Sequence, residues 1–121
     1  MSDDQQVESI GRIEIAPEVL TTIVQHTALG VDGVNRLTSV PADVGRLFRR
    51  AFRSDGVLLN FNDHNLTFDI YVFMDPHVNV LETSKAIQEA VLEAIDKMVG
   101  IPVDEVNVHV EDVVYALNET A

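Results

Sequence analysis

Leu66-Thr67-Phe68-Asp69-Ile70-Tyr71-Val72-Phe73-Met74 is the stretch that decides the fold. Leu66, Phe68, Ile70, Val72 and Met74 take every second position, with Thr67, Asp69, Tyr71 and Phe73 between them. Side chains of a strand alternate between two faces, so the pattern predicts a strand with one face in a core and the other outside. Pro76 ends it. The turn-rich Asn62-Asp63-His64-Asn65 precedes it, and Val57 to Phe61 is strand-like, which together predict a hairpin. Downstream, Asn79 is placed to cap a helix over about Val80 to Val99. Val80, Ser84, Ile87, Val91, Ile95 and Met98 recur every three or four residues, while Lys85, Glu89, Glu93 and Lys97 lie outward. Gly100 and Pro102 stop that helix. Glu105 to Val113 reads as the last strand, with Val106, Val108 and Val110 inward and Asn107, His109 and Glu111 outward.

Toward the N-terminus, Gly11 to Ile15 alternates Arg12 and Glu14 with Ile13 and Ile15, the pattern of a short half-buried strand. Pro17 suits the first position of a helix, where its missing N–H costs nothing. Val19, Leu20, Ile23, Val24, Thr27 and Ala28 follow at helical spacing, and Gly30 is the stop. Residues 35–55 form an inserted basic segment. Within it, Asp43 to Arg53 reads as a short amphipathic helix. Val44, Leu47, Phe48, Ala51 and Phe52 share one face, and Arg46, Arg49, Arg50 and Arg53 the other. The predicted architecture is α+β: a four-stranded, mostly antiparallel sheet with two main helices on one face, in the order β-α-(short α)-β-β-α-β. One domain spans 10–115, between a mobile acidic tail at 1–9 and a frayed end at 116–121.

Composition narrows the function classes. The chain has 121 residues, a formal net charge of −12 and no cysteine. Disulfides, thiolate zinc sites, iron–sulfur ligation and a cysteine nucleophile are thereby excluded. The charge repels bulk nucleic acid and anionic membranes wherever cations are not clustered. Neither a positively charged start nor a long apolar run is present, so the expected location is the cytoplasm, extending to the inner face of the cell membrane. His26, His64, His77 and His109 show no metal-binding spacing. Ser9, Ser39, Ser54 and Ser84 lack a Gly-x-Ser-x-Gly setting, and Gly30-x-x-Gly33 is no phosphate loop. No enzyme activity, metal or cofactor is expected. His109 and Asp69 are expected to meet on the outer sheet face in a surface hydrogen bond.

Two features point to interaction surfaces instead. Five of the eight cations fall between Arg36 and Arg53. Arg46, Arg49, Arg50 and Arg53 therefore serve either as a solvated helix face or as a contact for a partner, with weak anionic-membrane contact as a variant. The alternative is a nucleic-acid-binding module using the same basic helix. Tyr71 and Phe73 on the open sheet face are candidates for self-association, because aromatic residues are favoured in interface cores. Glu14, Asp69 and Glu111 share that face and argue against RNA.

Gly11-Arg12-Ile13-Glu14-Ile15-Ala16-Pro17-Glu18-Val19, then Val31-Asp32-Gly33-Val34, then Val103-Asp104-Glu105-Val106-Asn107-Val108-His109-Val110 resemble the alkaline shock protein family of bacteria, also called the envelope stress response family. The resemblance runs from about Val7 to Val113, and Val-Asn-Val-His-Val is its most specific part. It implies a small cytoplasmic, non-enzymatic protein that self-associates. It also implies a tie to the inner membrane face through a membrane-anchored partner, and a link to envelope stress. Many members carry a Tyr-Gly-like turn before the long helix, where this chain has Met74-Asp75-Pro76-His77.

Overall fold

The computed structural model describes residues 10–42, 51–62 and 65–115. Its elements are α1 (Pro17–Leu29), β1 (Val34–Leu37), β2 (Ala51–Ser54), β3 (Val57–Asn62), β4 (Asn65–Met74), α2 (Val80–Met98) and β5 (Glu105–Val113). The alternating stretch is the central strand, β4. Its Phe68, Ile70, Val72 and Met74 are fully buried, with Leu66 close behind.

β5 runs parallel to β4 from Thr67↔Glu105 to Met74↔Val113 and so fills one edge of it. The other edge is shared end to end. β3 pairs antiparallel with Asn65 to Ile70, and β1 with Val72 to Met74. Among the described residues β2 pairs only with β3. Among the described residues the sheet thus has five strands, and it is four strands wide only at the level of Thr67 to Ile70, where β2 lies beyond β3. α1 and α2 pack together over the face that carries Phe68 and Ile70. Leu20, Val24 and Ala28 of α1 and Ile87, Val91 and Ile95 of α2 join the β4 side chains in one core.

The α+β class, the two helices and the mostly antiparallel sheet agree with the sequence reading. The first strand does not. Gly11 to Ala16 lies outside the sheet, with Ile13 90% exposed. It has no place beside β4, because both edges of that strand are taken, by β5 and by β3 with β1. The predicted helix from Asp43 to Arg53 is also corrected at its end. Residues 43–50 lie outside the described residues, and Ala51 to Ser54 is a strand. Asp55-Gly56 turns that strand back into β3, with φ of 30° and 85° at the two positions. Positive φ at both central residues is what a two-residue type I′ hairpin requires.

The long helix is rotated slightly from the expected stripe. Thr83, Ile87, Val91 and Ile95 are buried, whereas Val80 and Met98 are exposed. Thr83 turns inward because Gly33, at φ +101°, leaves room: a Cβ on Gly33 would lie 3.1 Å from Thr83 Oγ1. Likewise Val19 of α1 is exposed and Thr21 is buried, its hydroxyl donating to the Glu18 carbonyl at 3.1 Å.

Asn79 caps α2 as expected, its Oδ1 accepting the Glu82 N–H at 2.9 Å. Asn79→Ala is expected to lower the unfolding free energy by about 1 kcal/mol, as measured by urea denaturation. A loss within error of zero would show that water replaces the cap at no cost.

Candidate functional site

The outward side chains of β4 and its neighbours form the site. Phe73 pairs with Arg36 of β1, whose guanidinium lies 4.5 Å from the ring centre. One step along, Tyr71 pairs with His109 of β5, and the two rings stack at 4.3 Å and 10°. His109 Nε2 lies 2.7 Å from Asp69 Oδ1. The Asp69 side chain is 13% exposed and that of His109 38%, so the pair sits half in the sheet. Asp69 also pairs with Leu58 of β3, which is fully buried, and Leu58 pairs with the exposed Arg53 of β2.

Tyr71 is 3% exposed although it faces away from the helices. Burial raises the pKa of its phenol, and the charges of Asp69 and Glu111 raise it further. The phenol therefore stays protonated at neutral pH and is neither a nucleophile nor a base. His109 and Asp69 make two members of a hydrolytic triad, but a nucleophile must reach the imidazole. Ser54 pairs with Val57 on the helix side, where Gln25 Nε2 donates to its carbonyl and hydroxyl oxygens at 2.9 and 3.2 Å. Ser84 belongs to α2. Among the described residues no group of three His, Cys, Asp or Glu is placed to hold a metal.

A shallow hollow of about 370 Å³ opens where α1, the end of β1 and the Asp55-Gly56 turn meet. Gln25, Leu29, Arg36, Thr38 and Asp55 line it. The charges on its wall have both signs, so it has no bias toward an anionic or a cationic ligand.

Of the residues singled out from sequence, Tyr71 and Phe73 share the open face, but neither ring is free. His109 covers the first and Arg36 the second. Arg53 is exposed on a strand rather than on a helix, and Arg46, Arg49 and Arg50 lie outside the described residues. The expected hydrogen bond between His109 and Asp69 is present. His26 is exposed on α1, His77 is exposed with its ring edge-on to Tyr115, and His64 lies outside the described residues. The contact of Arg36 with Phe73 was hidden from sequence reading because β1, only four residues long, was not recognised.

The stack places the most specific sequence motif in structural terms. Val106 and Val110 of Val-Asn-Val-His-Val turn toward the core, and its histidine is the ring laid on Tyr71. A family model for the alkaline shock protein 23 family, described as having a cell envelope-related function, matches residues 5–115. The chain belongs to this family. Spy1535 of Streptococcus pyogenes serotype M6, an uncharacterised protein, is 36% identical over 108 residues, covering 88% of this chain and 82% of the relative. YqhY of Bacillus subtilis strain 168, also uncharacterised, is 27% identical over 108 residues, covering 88% and 80%. Among solved structures, MamM-CTD covers 80% of this chain and 99% of its own, at 18% identity and a TM-score of 0.49. A likeness at that level carries no functional argument. For this alkaline shock family member, no helix among the described residues is long and apolar enough to cross a membrane.

Proposed function

We propose that this family member is a non-enzymatic scaffold or adaptor. In this reading it self-associates in the cytoplasm and is held at the inner membrane face by a membrane-anchored partner, in the service of envelope stress. The observation that carries the reading is the set of large apolar side chains left exposed on both helices. Leu81, Leu92 and Met98 of α2 and Val19 and Leu29 of α1 are all exposed, whereas the polar groups at the centre of the open face are engaged with one another. Protein contacts use such apolar side chains, and hydrolytic chemistry needs polar groups that are free. The family description, a cell envelope-related function, supports the location.

In this reading Arg46, Arg49, Arg50 and Arg53 meet an acidic surface of the partner. A nucleic-acid role would use the same arginines, but the net charge of −12 opposes it. The test is recovery of the tagged protein from detergent-solubilised membranes, with Arg46→Glu/Arg50→Glu run beside it. The unmodified chain is expected to retain an integral membrane protein, and the variant to lose about tenfold or more of it with its circular dichroism unchanged. Equal recovery by a folded variant would remove the arginines from the role. Recovery of oligonucleotide with a steep salt dependence would replace the reading with the nucleic-acid one.

A further inference from the structure

We infer that Gly11-Arg12-Ile13-Glu14-Ile15 adds a strand to the outer edge of β5 in a second copy of the chain. The inference rests on the self-association proposed above and assigns its contact. The segment alternates like a half-buried strand, yet Ile10, Ile13 and Ile15 are 88%, 90% and 40% exposed. Such one-sided patterning is satisfied only when a sheet edge receives it.

β5 offers that edge. Among the described residues it pairs with β4 alone. Val108 and Val110 pack on the core from β5 but remain half-exposed. Gln88 of α2 reaches the same edge, donating through Nε2 to the Val106 carbonyl at 2.9 Å, so that carbonyl is occupied. At 100° per residue, Leu81 and Leu92 lie within about 40° of Gln88 around the helix. They therefore flank the β5 edge, and both are exposed. Val108, Val110 and Leu81 form an apolar ledge at the level above Gln88.

An antiparallel strand with Ile15 opposite Val108 and Ile13 opposite Val110 covers that ledge. Of the outward residues, the cation Arg12 then falls beside the exposed carboxylate of Glu111, and Glu14 beside His109. Glu111 is the extra residue of a bulge, since Val110 pairs with Val72 and Asp112 with Phe73. The added strand ends there, where the bulge twists the edge away.

The receiving edge belongs to another copy because the chain's own is out of reach. α1 packs on β1, β2 and β3, and α2 lies between α1 and β5. Once residues 11–15 are used as strand, only Ala16 remains before α1 begins at Pro17. One residue spans at most about 3.6 Å, and a packed helix is about 10 Å across.

The chain has no cysteine, so a disulfide can report the contact cleanly. Ile15→Cys and Val108→Cys are made as separate full-length chains, one isotopically heavy, then mixed under mild oxidation. Directly opposed strand residues lie within disulfide range, so heavy–light dimers linking positions 15 and 108 are expected to dominate the mass spectrum. Absence of that link overturns the inference. In parallel, Ile13→Asp/Ile15→Asp is expected to weaken self-association about tenfold or more by sedimentation velocity. Its circular dichroism should not change, because both side chains are exposed in one copy. If the unmodified chain associates and this variant does so equally, the strand contact fails and self-association stands. If the unmodified chain sediments as a monomer throughout, both fail.

Discussion

Phe68→Ala is expected to lower the unfolding free energy by about 3–5 kcal/mol. Phe68 is fully buried at the middle of β4, paired with Leu59 of β3 on one side and Val106 of β5 on the other. Helices on one face and strands on both edges surround the ring, so little can move in to fill the space that alanine leaves. The cost is therefore the lost transfer of the ring plus an unrelaxed cavity. Domains of this size are stable by about 5–15 kcal/mol, so the variant would be marginal at best. Chemical denaturation with a matched Phe68→Leu variant checks this. Leucine should recover more than half of the loss, because it refills part of the volume. A loss below about 1 kcal/mol would mean that the core collapses around the site and that β4 is not its rigid centre.

The same strand shows what the sequence made legible. Strict alternation over nine residues has one physical reading, and all five inward positions of β4 are buried. The helix capped by Asn79 was legible for the same kind of reason, a cap and a period that agree. The failures occurred where local pattern and available edge disagree. Gly11 to Ile15 has a strand's alternation but no place beside β4, because parallel β5 takes one edge and β3 and β1 divide the other. Alternation reports that one face seeks burial; it does not say which edge receives it. Ala51 to Ser54 failed differently. Phe52 and the arginines suggest a helical face, but Asp55-Gly56 carries the stronger local signal, a two-residue turn joining antiparallel strands. At the candidate site, His109 with Asp69 was readable from two outward positions. The burial of Tyr71 was not, because it depends on a ring brought from β5, while the β2–β3 turn holds its backbone N–H.

That turn carries the second large effect. Gly56→Ala is expected to cost about 2–4 kcal/mol, from a left-handed φ of +85° and from a collision. An added Cβ would lie 2.7 Å from Leu37 Cβ and 2.7 Å from the Thr38 carbonyl oxygen. The carbonyl belongs to the backbone and has no rotamer to change. β1 ends and β3 begins at this point, and both are bonded to one residue. Thr38 N–H donates to the Tyr71 carbonyl at 2.8 Å, and Tyr71 N–H donates to the Gly56 carbonyl at 2.9 Å. Pushing the two chains apart must lengthen one of those bonds, so strain in the turn reaches the residue on which His109 is stacked. Gly100→Ala separates the two causes. Gly100 also has positive φ, at +78°, but nothing lies within 4 Å of an added Cβ. It should cost only the backbone term, about 1–2 kcal/mol, and leave the His109 ring resonances in place by NMR. Gly56→Ala should cost more and shift them. Equal costs in denaturation and unshifted His109 resonances would show that the turn yields freely and that Tyr71 is held by its ring contacts alone.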